Sequence, residues 1–120
     1  MLKRLHAGDV AWAPDLFHAD DPTLAQGGQR PWLVISNDKL PGQSQGQQYV
    51  CLALTSNLAP TGSMLRLEQD DWERGAPKRA SQVDCETLQL VKHHWMSDYI
   101  GRVKHGRVRE ARKLVAEWIR

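Results

Sequence analysis

The hydrophobic pattern of this chain changes period once, and that change limits the architecture more than any other feature. Up to Val103 the apolar residues come in short runs bounded by Gly, Pro and polar clusters. Beyond it, Val108, Ala111, Val115 and Trp118 recur at steps of three and four. The first pattern is that of short strands, the second that of one helix face. Val10–Trp12, Arg30–Ser36 (RPWLVIS), Tyr49–Thr55 (YVCLALT), Met64–Glu68 (MLRLE), Val83–Val91 (VDCETLQLV) and Tyr99–Val103 read as strands. In Val83–Val91, strict alternation puts Val83, Cys85, Thr87, Gln89 and Val91 on one face, and Asp84, Glu86, Leu88 and Leu90 on the other. Pro14–Gln29 and Lys39–Gln48 are polar loops, and Gln69–Arg79, charged and broken by Gly75 and Pro77, reads as another. Short strands followed by one terminal helix predict a mainly β, α+β architecture: a small, strongly curved antiparallel sheet with the helix packed on it.

The 120 residues suit a single domain spanning 1–120, and 41% hydrophobic with 25% charged residues is ordinary for a globular one. No apolar run approaches the length of a membrane-spanning helix, and the start (MLKRLHAGDVAW) lacks the apolar stretch of a secretory signal. The expected compartment is the cytoplasm, where Cys51 and Cys85 are free thiols. Charge is unevenly spread: residues 1–91 carry a net −3 and residues 92–120 a net +5. A basic terminal segment can hold a polyanion or an acidic protein, or can simply be a solvated helix face.

Most familiar chemistries find no motif. His93 and His94 are adjacent, so on a strand their rings point to opposite faces and cannot chelate one metal ion. There is no GxxxxGK[ST], GxGxxG or GxSxG, and Ser36, Ser56 and Ser81 have no motif-level base. What remains is QGGQRPWLVIS (Gln26–Ser36) and CLALTSN (Cys51–Asn57). A Gly-Gly pair lets the backbone approach a ligand, and Pro31 biases Arg30 toward extended geometry at a strand entrance. An arginine fork together with the Thr55 hydroxyl suits a phosphate. The alternative is structural: Arg30 pairing with a surface carboxylate while Thr55 ends a strand.

In this order, GDVAW (Gly8–Trp12), QGGQRPWLVIS, CLALTSN, a later strand with Cys85-Glu86, Ile100-Gly101-Arg102-Val103 and a closing helix resemble the MazF/PemK family of bacterial toxin endoribonucleases. The resemblance implies an SH3-like, CcdB-like antiparallel β-barrel acting as a homodimer. It also implies cutting of single-stranded mRNA at short sequences with no metal or cofactor, under restraint by a cognate antitoxin. Arg30 falls at the family's catalytic arginine and Thr55 at its catalytic threonine. The implied reaction is attack by the RNA 2′-OH on the adjacent phosphate, giving 2′,3′-cyclic phosphate and 5′-OH ends. RNA contacts are implied for Gln26, Gly28, Ser56 and Asn57, and further along for Glu86 and His94.

Many relatives carry an acid just before the Gln of this motif, where this chain has Ala25. Proton transfer then falls to His18, Glu86 (with Asp84 in competition), His93 or His94. Trp12, Trp32 and Trp118 fit core positions, whereas Trp72 and Trp95, in or near loops, are candidates for stacking bases. A CcdB-like protein that binds gyrase without nuclease chemistry is the competing expectation.

Overall fold

Burial on both faces explains why the central strands read as unbroken apolar runs. The computed structural model describes residues 2–15, 28–38, 47–58 and 63–119. Seven strands form within them: β1 (Asp9–Pro14), β2 (Gln29–Val34), β3 (Gln48–Thr55), β4 (Met64–Leu67), β5 (Trp72–Gly75), β6 (Ser81–Lys92) and β7 (Tyr99–Val103), followed by helix α1 (His105–Trp118). One sheet joins them in the order β4-β6-β3-β2-β1-β7-β5, every pair antiparallel. Leu33, Leu52, Leu54, Val83 and Cys85 enter a core that α1 covers with Val108 and Ala111. Their neighbours Trp32, Val34, Cys51 and Ala53 enter a second core on the opposite face, shared with Leu5, Tyr49, Val91 and Met96. A strand buried on both faces has no polar side to show.

The sheet curls into a half-barrel. Its edges, β4 and β5, lie at opposite ends of the strand order yet are joined by only Glu68 and a 3-10 turn, Gln69–Asp71. The five residue steps from Leu67 to Trp72 reach at most about 18 Å, so the two edges must converge. Arg107 on α1 stitches that gap, with an ion pair to Asp71 at 3.3 Å and a hydrogen bond to the Arg66 carbonyl. Lys104 N–H donates to the Asp71 carbonyl at 2.8 Å. Gly8, with φ +99°, lets the chain pass Val103; a Cβ there would lie 2.8 Å from the Val103 carbonyl oxygen.

Three expectations need correction. Gln69–Arg79, expected to be a loop, contains β5; this four-residue edge strand pairs only with β7. Its exposed Glu73 and Arg74 made it read as loop, and charged side chains on an edge discourage pairing with other chains. Strand β6 is not one regular ladder: the register passes from Leu52↔Leu88 to Ala53↔Asp84, leaving Cys85–Thr87 as a bulge. The bulge turns the strand over, so Val83 and Cys85 face one core and Val91 the other. Finally, the apolar stripe of α1 ends at Val115; Trp118 is 59% exposed because the last helical turn runs past the sheet.

Candidate functional site

Strand pairing brings the two motifs together. β2 and β3 are antiparallel with Trp32 opposite Ala53, and two further steps put Arg30 level with Thr55. Side chains alternate, so both leave the sheet on the face of Trp32 and Ala53. Arg30 Nη1 donates to Asp15 Oδ2 at 3.1 Å and Nη2 to the Leu54 carbonyl at 3.4 Å. The Asp15 side chain is 2% exposed and that of Arg30 25%. Asp15 follows directly on β1, and its N–H donates to the Gly28 carbonyl at 2.8 Å, continuing the β1–β2 ladder past Pro14↔Gln29. The alternative open from sequence is therefore half right: Arg30 does pair with a carboxylate, but a buried one that aims the guanidinium while leaving it partly open to solvent. Thr55 Oγ1 accepts the Asn57 N–H at 3.1 Å, a local turn that leaves the hydroxyl proton to donate elsewhere. Gln82 Nε2 fastens this turn through the Asn57 carbonyl at 2.9 Å.

Arg30, Thr55 and Ser56 stand at a cavity of about 810 Å³. Trp12, Pro31, Leu54 and Ile100 give it apolar walls, and the stretch 76–81 closes one side with Lys78 and Arg79. No carboxylate is among the described residues that line it. Ser81 is also in its lining, although its hydroxyl oxygen is sealed from solvent and without a hydrogen-bond partner. An orphaned buried hydroxyl costs about 1–3 kcal/mol. The arrangement offers a two-donor fork, a hydroxyl and two exposed cations to an anion, with room and flat apolar surface for a ring beside it.

The other predicted residues scatter. Gly28 supports Asp15 through its backbone, and Asn57 lies behind Thr55. Gln26 and His18 lie outside the described residues. Glu86 sits on the β6 bulge and accepts from Ser63 Oγ at 2.7 Å, away from the cavity lining. His93 and His94 follow Lys92, which pairs with Gln48 at the start of β3. Thr55 ends that eight-residue strand, about 24 Å away. His93 is a packing residue: one ring nitrogen meets the Tyr49 hydroxyl and the other the Leu2 carbonyl, both at 2.8 Å. Both histidines are thus too far to serve Thr55 as proton carriers within one chain.

The tryptophans also change places. Trp32 is fully buried as expected, but Trp12 is 37% exposed and lines the cavity. Trp72 and Trp95, expected to stack bases, pack against the two cores. Sequence reasoning missed Asp15, Ser81 and the 76–81 wall. Asp15 lay within a stretch read as loop, and a serine's lack of a partner is visible only in three dimensions. Both thiols are buried; burial raises Cys51 far above the ordinary thiol range, and Cys85 is pushed up to about 12. Neither is a nucleophile. Among the described residues no three His, Cys, Asp or Glu side chains form a metal-ligand set, and no helix is long and apolar enough to cross a membrane.

Comparison with known proteins bears on all of this. The family described as PemK-like, MazF-like toxin of type II toxin-antitoxin system matches residues 6–119. Compared with curated protein sequences, the chain matches none. Among solved structures it is similar to MazF from Deinococcus radiodurans, with a TM-score of 0.72 at 14% identity over 98% of each chain. The MazE-MazF structure from Deinococcus radiodurans gives a TM-score of 0.70 at 13% identity, covering 98% of this chain and 97% of that one. An endoribonuclease in complex with its cognate antitoxin, from a mycobacterial species, gives 0.68 at 15% identity, covering 97% and 95%. At such identities the likeness establishes the fold, and chemistry has to be argued from the site.

Proposed function

We propose that this chain, which belongs to the PemK-like, MazF-like toxin family of type II toxin–antitoxin systems, is an endoribonuclease that cuts single-stranded RNA by using the substrate's own 2′-OH. The observation that carries the proposal is the meeting of Arg30 and Thr55 at one cavity whose described lining residues include cations and no carboxylate. Strand ends that splay single-stranded bases into an apolar pocket beside a phosphate seat fit RNA better than duplex. That the solved MazF-like structures include endoribonucleases and an antitoxin complex supports the same reading.

The chemistry follows from what each group can do. The 2′-oxygen attacks the adjacent phosphorus, its proton passing to solvent. The P–O5′ bond breaks and the 5′-oxygen takes up a proton, leaving a cyclic phosphate and a 5′-OH. With the nucleophile supplied by the substrate, the protein's tasks are alignment and stabilisation of charge on the phosphoryl oxygens. Arg30, held by Asp15 and the Leu54 carbonyl, directs its remaining donors at those oxygens. Thr55 donates its hydroxyl proton to a non-bridging oxygen. A guanidinium is a poor proton donor, so its part is electrostatic.

A second copy of the chain and an antitoxin complete the picture. Leu88 and Leu90 on β6 and Trp118 and Ile119 at the end of α1 are exposed large apolar residues, and β6 and α1 pack together. Such a face suits a symmetric homodimer. The cations at the cavity suit an acidic antitoxin segment that mimics the charge of RNA.

The test is incubation of the purified protein with a long RNA of known sequence, with and without EDTA, followed by mapping of cut positions and end groups. Cuts at one short word, unaffected by chelator and ending in cyclic phosphate and 5′-OH, are expected. Intact RNA together with stalled gyrase would overturn the proposal in favour of a CcdB-like mode.

A further inference from the structure

Next to the proposed active site lies a second cavity, of about 500 Å³, bordered by Lys3, Arg4, Asp9, Arg74, Tyr99 and Arg102. Its cations come from three parts of the chain: the segment before β1, the β5 edge and β7. Asp9, the carboxylate in that lining, is 2% exposed and already takes four hydrogen bonds. It therefore fixes Arg102 without cancelling the others. Among the described residues Lys3, Arg4 and Arg74 form no salt bridge; Arg4 reaches only the Asp38 carbonyl, at 3.2 Å. Glu73 approaches Arg102 at 3.8 Å from an exposed position.

The two cavities share one residue. Tyr99 lines both, is 39% exposed, and carries the Arg74 guanidinium 5.9 Å from its ring centre. Its hydroxyl donates to Asp9 at 2.8 Å, which fixes the ring. A fixed aromatic plane between a phosphate seat and a cluster of cations repeats the base–phosphate alternation of a nucleic acid strand.

Resting on the nuclease reading above, we infer that the RNA strand cut at Arg30 and Thr55 runs on across Tyr99. One of its bases stacks on that ring, and a further phosphate or two is held by Lys3, Arg4 and Arg74. An acidic peptide would engage the cations, whereas the fixed ring between a phosphate seat and those cations has the order of a base between two phosphates. The continuity through Tyr99 is what favours RNA.

Three RNAs carrying the same cut word test this: one trimmed close to the word, one extended by several nucleotides on the 5′ side, and one on the 3′ side. Wild-type protein should prefer one extended RNA in kcat/KM by at least about tenfold, the size of one base stacked on one ring. In Lys3→Ala/Arg74→Ala, both positions being exposed, that preference should shrink severalfold, because Tyr99 keeps its stacked base while the further phosphates are no longer held, with the trimmed RNA as the reference within each protein. The salt dependence of KM on the extended RNA should flatten by about 0.7 in log–log slope for each phosphate no longer held. Lys113→Ala, on the exposed side of α1, should keep the preference. No preference in the wild type, or one that survives undiminished in the double variant with its slope, overturns the extended path. Loss of poly-glutamate binding with the RNA preference intact also overturns it, in favour of a peptide seat. A wild type that cuts none of the three RNAs overturns the nuclease reading itself, and the extended path falls with it.

Discussion

Strand β1 carries a buried aspartate at each end, and each holds an arginine from the strand alongside: Asp9 holds Arg102 of β7, and Asp15 holds Arg30 of β2. Both carboxylates are 2% exposed in their side chains, and the two arginines are about equally open, at 27% and 25%. The pairs nevertheless differ in how they are bonded. Arg102 grips Asp9 with two nitrogens, Nε at 2.9 Å and Nη2 at 3.3 Å, while Tyr99 and the His6 N–H complete the carboxylate. Arg30 touches Asp15 with one nitrogen, at 3.1 Å, and spends another on a long bond to a carbonyl. The first pair is a closed knot that ties the chain's start to β7. The second splits its donors between a carboxylate and a carbonyl, and stands at a cavity with no carboxylate among its described lining residues. Each arginine commits two donors, so where those donors go, both to one carboxylate or split between a carboxylate and a carbonyl, separates structural from functional use here.

The largest effect that would break this contrast is on catalysis. Arg30→Lys keeps a cation beside Asp15 but loses the fork, so kcat should fall by about 10²–10³ with the melting temperature nearly unchanged. Arg30→Ala is a poorer test, because it strands a buried carboxylate and costs stability of its own. Next comes the knot: Asp9→Asn should lower the unfolding free energy by about 3 kcal/mol in urea titrations near neutral pH.

The pH dependence sharpens the same point. Burial pushes the Asp9 carboxyl up, but the bonds from Arg102, the His6 N–H and Tyr99 overcome this and leave it below the ordinary value. A carboxyl depressed in the folded state stabilises fully above its unfolded pKa, about 3.9, and loses that stabilisation as pH falls through the folded value. The stability gap between wild type and Asp9→Asn should therefore be constant above about pH 5 and close in stronger acid. Thr55→Val, which keeps shape and removes the donor, should reduce kcat about tenfold with little change in stability. The smallest effect belongs to Ser81→Ala: removing an unpaired buried hydroxyl should stabilise the free protein by about 1 kcal/mol, read as a higher midpoint in urea titrations.

Much of this was legible in advance. The strands around Trp12, Leu33, Leu52, Val83 and Ile100 and the helix after Val103 follow from apolar periods alone, because burial imposes those periods on any chain. β5 was not legible: an edge strand pairs on one side only, and its composition is that of a loop. The bulge in β6 was hidden because alternation continues through it in the letters while the face reverses in space. The basic C-terminal segment misled in a similar way. Arg102, Arg107 and Arg112 are engaged in fastening Asp9, Asp71 and the Ile35 carbonyl, while the cations around the second cavity that form no salt bridge among the described residues lie before β1 and on β5.

The residues alone determined that Arg30 and Thr55 stand at the ends of adjacent apolar runs, since strand patterns and punctuating Gly, Pro and Ser are local properties of the letters. Which carboxylate aims Arg30, which hydroxyl is left without a partner and where the cations gather are matters of register and curl, set by pairings between residues far apart in the chain. Burial can be read one residue at a time, whereas a partner can be read only once the sheet has closed on itself.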